Sequence, residues 1–367
     1  MRAQLLAWAL AVNLVGPLLA AATPTHAIPV IYCTDLFHPH VDPDDHFDLA
    51  TLYGLAELDV KAIILDQGEK QLQRPGQIPV SQLNRLTGRH VPAAAGLARQ
   101  LRSPSDQGLD QEDRFQGGVR LMLETLRACP GPVMIAAVGS VRDIVAAYNR
   151  APDLVRAKVG RLLVFIGEAS DPKFQEYNVG LDPRAFVGLM RSGLPVYWVP
   201  CFDGGAGQNR GHASFWQARH ADLLRHAAPE LVQYFIYALE QEQADPLAFL
   251  SAPVDSRRQA QLFAATRNLW CTAIFAVLAD QVVAAQGTNY VLVKMPGGER
   301  AASTPLFGFS EVELSVTDEG VIRYGPAENS RRVKRFEIRL PARYAEGMTA
   351  VTARLLATVR PGPVAHP

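Results

Sequence analysis

An excess of either charge is missing from this sequence: 36 lysines and arginines balance 36 aspartates and glutamates, which excludes a strongly basic nucleic-acid binder. Hydrophobic residues make up 48% of the 367, too many for a disordered chain and enough for a large core. Cysteine is scarce. The four, Cys33, Cys129, Cys201 and Cys271, match no zinc or small disulfide framework, although an oxidising compartment would permit disulfides. Repeats and low-complexity linkers are also lacking, which favours one domain, expected over residues 28–360, where length alone suggests about two. Past the N-terminus no apolar run is long enough to span a bilayer.

What is present begins with MRAQLLAWALAVNLVGPLLAAATPTHA: Arg2, an apolar stretch from Leu5 to Ala22, and a small-residue ending at Ala27. That order reads as a cleaved secretory signal over residues 1–27, with an uncleaved anchor as the alternative, so the mature chain is expected to be secreted or periplasmic and free of the membrane. Short β-branched runs then alternate with segments of helical period: IPVIYC, PDDHFDLATLYGLAEL, VKAIIL, and later GPVMIAAVG, VRDIVAAYN, GRLLVFIG and LPVYWVPC. This βαβ pattern, with strands apolar almost throughout, predicts an open, doubly wound, mostly parallel α/β sheet with ligands beyond the carboxyl ends of its strands. A helical insertion is expected from His212 to Ala284, a small antiparallel cap beyond Asn289, and a last helix from Ala342 to Val359.

The seventeen residues CTDLFHPHVDPDDHFDL, Cys33 to Leu49, hold five aspartates and three histidines. Helix capping accounts for three of the aspartates: Asp42 as the cap, Pro43 in the first turn, Asp44 and Asp45 at the positive end of the dipole. Asp35 ends a buried strand, and Asp48 falls one turn after Asp44 and Asp45, so neither is explained by capping. If strand and helix adjoin, the carboxylates converge at the sheet edge, and a hard divalent ion such as Ca2+ would relieve their repulsion. His38 and His40 flank Pro39 in a loop and are weaker evidence, since they read more simply as solvated residues.

These residues resemble the opening motif of the inosine/uridine-preferring nucleoside hydrolase family, with Cys33, Thr34 and Asp35, then Asp44 and Asp45 after a longer loop. VPAAAG (Val91 to Gly96), AAVGSVRDIVAAY, EYNVGLDPRAF (Glu176 to Phe186) and GLPVYWVPC follow in the family's order. The resemblance implies that Asp35 touches a calcium ion and deprotonates the attacking water, that Asp45 and the backbone carbonyl of Arg142 are further metal ligands, and that Asp44, Glu176 and Asn178 hold the ribose. It implies a metal-dependent hydrolase acting on the N-glycosidic bond of a nucleoside or related riboside, with homo-oligomerisation left open. By residue chemistry alone, Asp182-Pro183 reads as a cap and first turn.

The sequence departs from the family pattern in three places. Trp270 and Cys271 stand where the family has a late His-Asp pair that completes the calcium site and protonates the leaving base. Cys33 replaces the first aspartate, and Ser170, beside Asp171, replaces an asparagine. Indole offers no usable proton near neutral pH and a thiolate is a soft ligand. Three readings follow: calcium held by Asp35, Asp45, Asp42 or Asp48 with His38, His40 or His46 as acid; Cys33 and Cys271 joined as a disulfide or sharing a softer metal; or a sugar- or nucleoside-binding protein that has lost turnover. Trp216, Tyr234 and Tyr237 of the insertion could stack on a base, with core packing as the simpler role.

Overall fold

In the computed structural model, residues 27–295 and 303–362 are described; the expected signal segment lies outside them, apart from Ala27. The strands in chain order are β1 (Ile28–Thr34), β2 (Leu58–Leu65), β3 (Ala93–Ala95), β4 (Val133–Ala137), β5 (Val159–Phe165), β6 (Val196–Val199) and β7 (Trp216–Arg219). They continue with β8 (Thr266–Leu269), β9 (Gln281–Gln286), β10 (Asn289–Lys294), β11 (Thr304–Pro305), β12 (Phe307–Val316), β13 (Ile322–Tyr324) and β14 (Arg331–Ile338). Nine strands form the main sheet in the order β13-β12-β14-β6-β5-β4-β1-β2-β3. From β3 to β14 neighbours run parallel, and β12 and β13 complete one edge antiparallel.

The expected open parallel α/β sheet is present because its strands are apolar on both faces. Ile31 and Cys33 pack into a core with Ile64 and Val164, while Tyr32 packs into the opposite one with Phe165 and Phe275. Helices cover both layers, and among the described residues none is long and apolar enough to cross a membrane. The chain builds β1 to β3 in one direction and then β4 to β6 in the other, so the carboxyl ends of β1 and β4 flank the crevice where such sheets bind ligands. Gly139, just past β4, lets the backbone close in there: a Cβ would stand 3.0 Å from an oxygen of Asp66 and 3.1 Å from the Asp35 nitrogen.

Two expectations about the second half are refined. The insertion is helical over Pro229–Leu239 and Ser256–Ala264, but β7 and β8 pair antiparallel within it and β9 falls at its end. Of the expected cap, β10 joins β9 and β11 in a separate sheet, whereas β12 to β14 extend the main one through β14 on β6. Local alternation identifies a strand but not its partner, which accounts for the difference. The last helix spans Pro341–Thr358.

All four cysteines are buried and free, and Cys33 and Cys271 belong to different cores on opposite faces of the sheet. The alternative reading of a Cys33–Cys271 link is therefore overturned: successive strand residues alternate between faces, and Cys33 points away from the face that holds Cys271. Titration of unfolded, unreduced protein should find four reactive thiols.

The insertion also stores an acid-sensitive group. His220 is fully buried, its Nδ1 hydrogen-bonded with the Leu262 carbonyl at 3.0 Å, and burial followed by the Arg267 charge pushes its pKa down to about 4. The unfolded imidazole titrates near ~6.5, so the unfolded state binds more protons between the two values. Stability is thus complete above pH ~6.5 and falls by about 3 kcal/mol as pH drops through the folded pKa. The buried aspartates of the sheet edge gain stability over the same range, so the histidine is read by difference: the urea stability of wild type relative to His220→Gln should fall by that amount between pH 7 and pH 4.

Candidate functional site

At the switch point a cavity of about 370 Å³ is lined by Asp35, Asp42, Asp44, Asp45, Glu176 and Asn178, with Phe165, Tyr177, Phe202 and Trp270 as aromatic walls. Cys201 and Cys271 also line it. Each carboxylate arrives by its own route. Asp35 leaves the end of β1 partly exposed, with one long side-chain contact, Gln67 Nε2 at 3.4 Å. Asp44 and Asp45 open the helix Asp44–Gly54, and Asp45 Oδ1 accepts from Thr34 Oγ1 at 2.7 Å, tying the helix start to the strand end. Asp48, one turn on, accepts from the Thr272 amide at 3.0 Å.

Like charges and burial together disfavour ionisation here. Burial, then the Asp66 charge, pushes Asp35 up to about 8. Burial comes first for Asp44 and Asp45 as well, followed by neighbouring aspartates, and both rise well above the usual carboxylate range. These carboxylates are satisfied electrostatically only by a cation or by protons. Among the described residues no three Asp, Glu, His or Cys side chains form a complete ligand set. The chemistry of Asp35 and Asp45 suits a hard ion, which would have to take its other ligands from carbonyls, water or sugar hydroxyls.

Glu176 caps the helix Tyr177–Leu181 and accepts from the amides of Gly167, Asn178 and Val179 at 2.8, 2.9 and 3.2 Å. The Asn178 side chain donates through Nδ2 to the carbonyls of Val138 and Phe165 at 3.3 and 3.4 Å, both long contacts. Asp182 caps the next helix, as its Asp-Pro pair predicts, by accepting from Ala185 N at 2.9 Å.

Other expectations are corrected. Asp42 caps nothing: the cap position is Pro43, and Asp42 pairs with Arg267 at 3.1 Å. None of the three histidines lines the cavity, because the long loop folds against the insertion. His38 Nε2 meets the Glu242 carbonyl at 2.7 Å and its ring stacks on Tyr237; His40 lies near Gln241; His46 is fully buried beside Tyr234. Trp216, Tyr234 and Tyr237 take the simpler role given to them, as buried core residues. Ser170 donates to Asp203 at 2.6 Å and stays outside the cavity. Trp270 does line it, but its indole N–H donates to the Cys201 carbonyl at 3.0 Å.

The sequence reading missed Asp66 and the side chain of Arg142. Asp66 follows β2 as Asp35 follows β1, so position at a strand end could have found it. Its carboxylate accepts from Ser140 N, Ser140 Oγ and Gln67 N at 2.7–2.9 Å. Arg142 begins the helix Arg142–Arg150 and its buried guanidinium lies 3.6 Å from Asp66 and 3.7 Å from Asp182. Nothing local marks it, since its partners are far away in the chain.

The parallel layer, the switch-point crevice and the carboxylates gathered there define an α/β protein with an acidic cavity at the carboxyl edge of its sheet. The chain belongs to the inosine-uridine preferring nucleoside hydrolase family, whose model matches residues 39–355. Asp35 precedes the matched span, and the Thr34–Asp45 bond restores in space what the long loop separates in sequence. The chain is 27% identical over 256 residues to the pyrimidine-specific ribonucleoside hydrolase RihA of Salmonella arizonae, covering 62% of this chain and 76% of that one. Among solved structures, a plant nucleoside hydrolase, PpNRh1, aligns over 90% of this chain and 99% of its own at 16% identity, with a TM-score of 0.53. The type III effector protein XopQ, complexed with adenosine diphosphate ribose, aligns over 92% and 95% at 17% identity, with a TM-score of 0.51. At these identities the two structures bear on the fold alone.

Proposed function

We propose that this protein hydrolyses the N-glycosidic bond of a ribonucleoside or related riboside with the help of a bound divalent ion, Ca2+ by the family resemblance. The observation that carries the reading is the meeting of Asp35, Asp44, Asp45, Glu176 and Asn178, from three separate strand exits and helix starts, in one cavity. Bond cleavage builds positive charge on the sugar, and carboxylates on one side of it stabilise that charge. Asp35, partly exposed and loosely held, takes the proton of the attacking water. Asp44 and Asn178 grip ribose hydroxyls, which fixes the anomeric carbon for attack, and Glu176, locked by three amides, sets the depth of the sugar. Asp35, Asp45 and the Arg142 carbonyl would hold the ion, which when bound lowers the pKa of a water. Export by residues 1–27 to the periplasm or medium belongs to the same proposal.

One observation favours a second reading, a sugar- or nucleoside-binding protein without turnover: the late acid of the family is replaced by Trp270, whose N–H is already engaged. Incubation with uridine, inosine and p-nitrophenyl riboside, with and without EDTA, separates the two. Ribose release that EDTA abolishes is the expected result; calorimetric binding without release from any of the three would establish the binding protein instead.

A further inference from the structure

The cavity has an open mouth and an apolar floor. Val41 and Tyr177, both exposed, mark the mouth, whereas Glu176, Phe165, Val138 and Cys201 are buried. The carboxylate at the floor is already occupied. Glu176 Oε2 accepts from the amides of Gly167 and Val179 at 2.8 and 3.2 Å, and Oε1 from that of Asn178 at 2.9 Å. A carboxylate offers about four lone-pair directions, so these three leave one, and the Cys201 thiol contacts the same group. Asn178 gives its Nδ2 hydrogens to the Val138 and Phe165 carbonyls, which leaves only its oxygen for a sugar. The indole N–H of Trp270 is likewise spent, on the Cys201 carbonyl.

C1′ and C4′ stand at opposite ends of a ribofuranose. With C1′ facing Asp35 and the base leaving toward the mouth, the group carried by C4′ is the one set down on the floor. The vicinal hydroxyls on the third side of the ring go to Asp44, the Asn178 oxygen and the ion. One hydroxyl is left over, that on C5′, and it meets a filled carboxylate among Phe165, Val138 and Cys201. A buried alcohol without a partner is worse there than a methyl group, because it loses its water and gains nothing in return. We propose that the substrates of this site are ribosides whose C5′ carries no hydroxyl, the 5′-deoxyribosides, with hydrogen or a small apolar group such as an alkylthio at that carbon. Such a group gains contact with the floor and strands no donor, and a thioether is soft enough to fit beside a thiol. Glu176 then acts as a wall that fixes the sugar by shape, and the chemistry at C1′ is unchanged.

The inference rests on the ribosyl hydrolase reading, and the experiment separates the two. The purified full chain with CaCl2 is assayed on three matched pairs: uridine and 5′-deoxyuridine, inosine and 5′-deoxyinosine, adenosine and 5′-methylthioadenosine. Each kcat/KM is divided by the rate at which the same compound hydrolyses in dilute acid, so that differences in bond lability cancel. In every pair cleaved, the member without the hydroxyl should then be favoured by about tenfold or more, the size of one alcohol buried unpaired. Cys201→Ala removes the thiol from Glu176 and returns a lone pair to the ligand, so in that variant the preference should shrink at least about threefold. A parent nucleoside cleaved as well as its 5′-modified partner overturns the inference and leaves the hydrolase reading intact. A preference that persists undiminished in Cys201→Ala, at an unchanged melting temperature, also overturns it, since the floor would then not be its source. The wild-type comparison decides alone if that variant does not fold. No hydrolysis of any of the six compounds overturns both.

Discussion

Asp35→Asn lowers kcat by about three orders of magnitude on every riboside cleaved, the upper range of what a positioned base contributes. The expectation follows from geometry. Asp35 stands at the carboxyl end of the central strand β1, partly exposed in the cavity, with a long side-chain contact to Gln67 at 3.4 Å. Asparagine keeps the shape and that contact's acceptor but cannot hold a proton taken from water. The same change removes one negative charge from a crowded group, since the Asp35 charge helps raise both Asp44 and Asp45. Stability in the absence of added metal should therefore be unchanged or higher, and a thermal melt beside the kinetic assay tests that. A variant that loses activity because it unfolds, or one that retains full kcat, contradicts the role given to Asp35.

The legible part of this protein was the part whose causes are local. The apolar runs of β1, β2, β4 and β5 announce a sheet covered on both faces, and Asp35 at a strand exit announces a place on its ligand edge. Asp182 before Pro183 reads correctly as a cap for the same reason. Asp42 carried equally good cap chemistry, yet the backbone makes Pro43 the cap and Arg267, 225 residues away, claims Asp42. His38 is drawn away by the Glu242 carbonyl across 204 residues. Such choices between a nearby and a distant partner are settled by packing, and no motif spacing encodes them. The same limit hid the strands β7 and β8, whose pairing brackets helices, and the attachment of β14 to β6.

Arg142 shows the largest consequence of that limit, and Arg142→Met should destabilise the fold by about 3–5 kcal/mol, lowering the melting temperature by roughly 10 °C. Its guanidinium is almost wholly buried at the carboxyl edge of the sheet. Nε donates to Ser140 Oγ at 3.0 Å, Nη1 to the Ala98 carbonyl at 3.3 Å and Nη2 to the Leu181 carbonyl at 2.9 Å. Asp66 and Asp182 lie within 3.7 Å on either side. One side chain thus ties the turns after β2, β3 and β4 to the segment between Glu176 and Asp182. Methionine fills similar volume but strands two buried carboxylates without their cation, and that uncompensated charge is the main cost. Arg142→Lys retains the charge but not the planar fork, so it should recover part of the stability and not all of it. Because the tied segment carries Glu176 and Asn178, KM for a riboside should rise in the lysine variant at temperatures well below its melt, while kcat, set by Asp35, changes less. Equal melts for wild type and Arg142→Met would show that the buried carboxylates are held by the Ser140 and backbone donors alone.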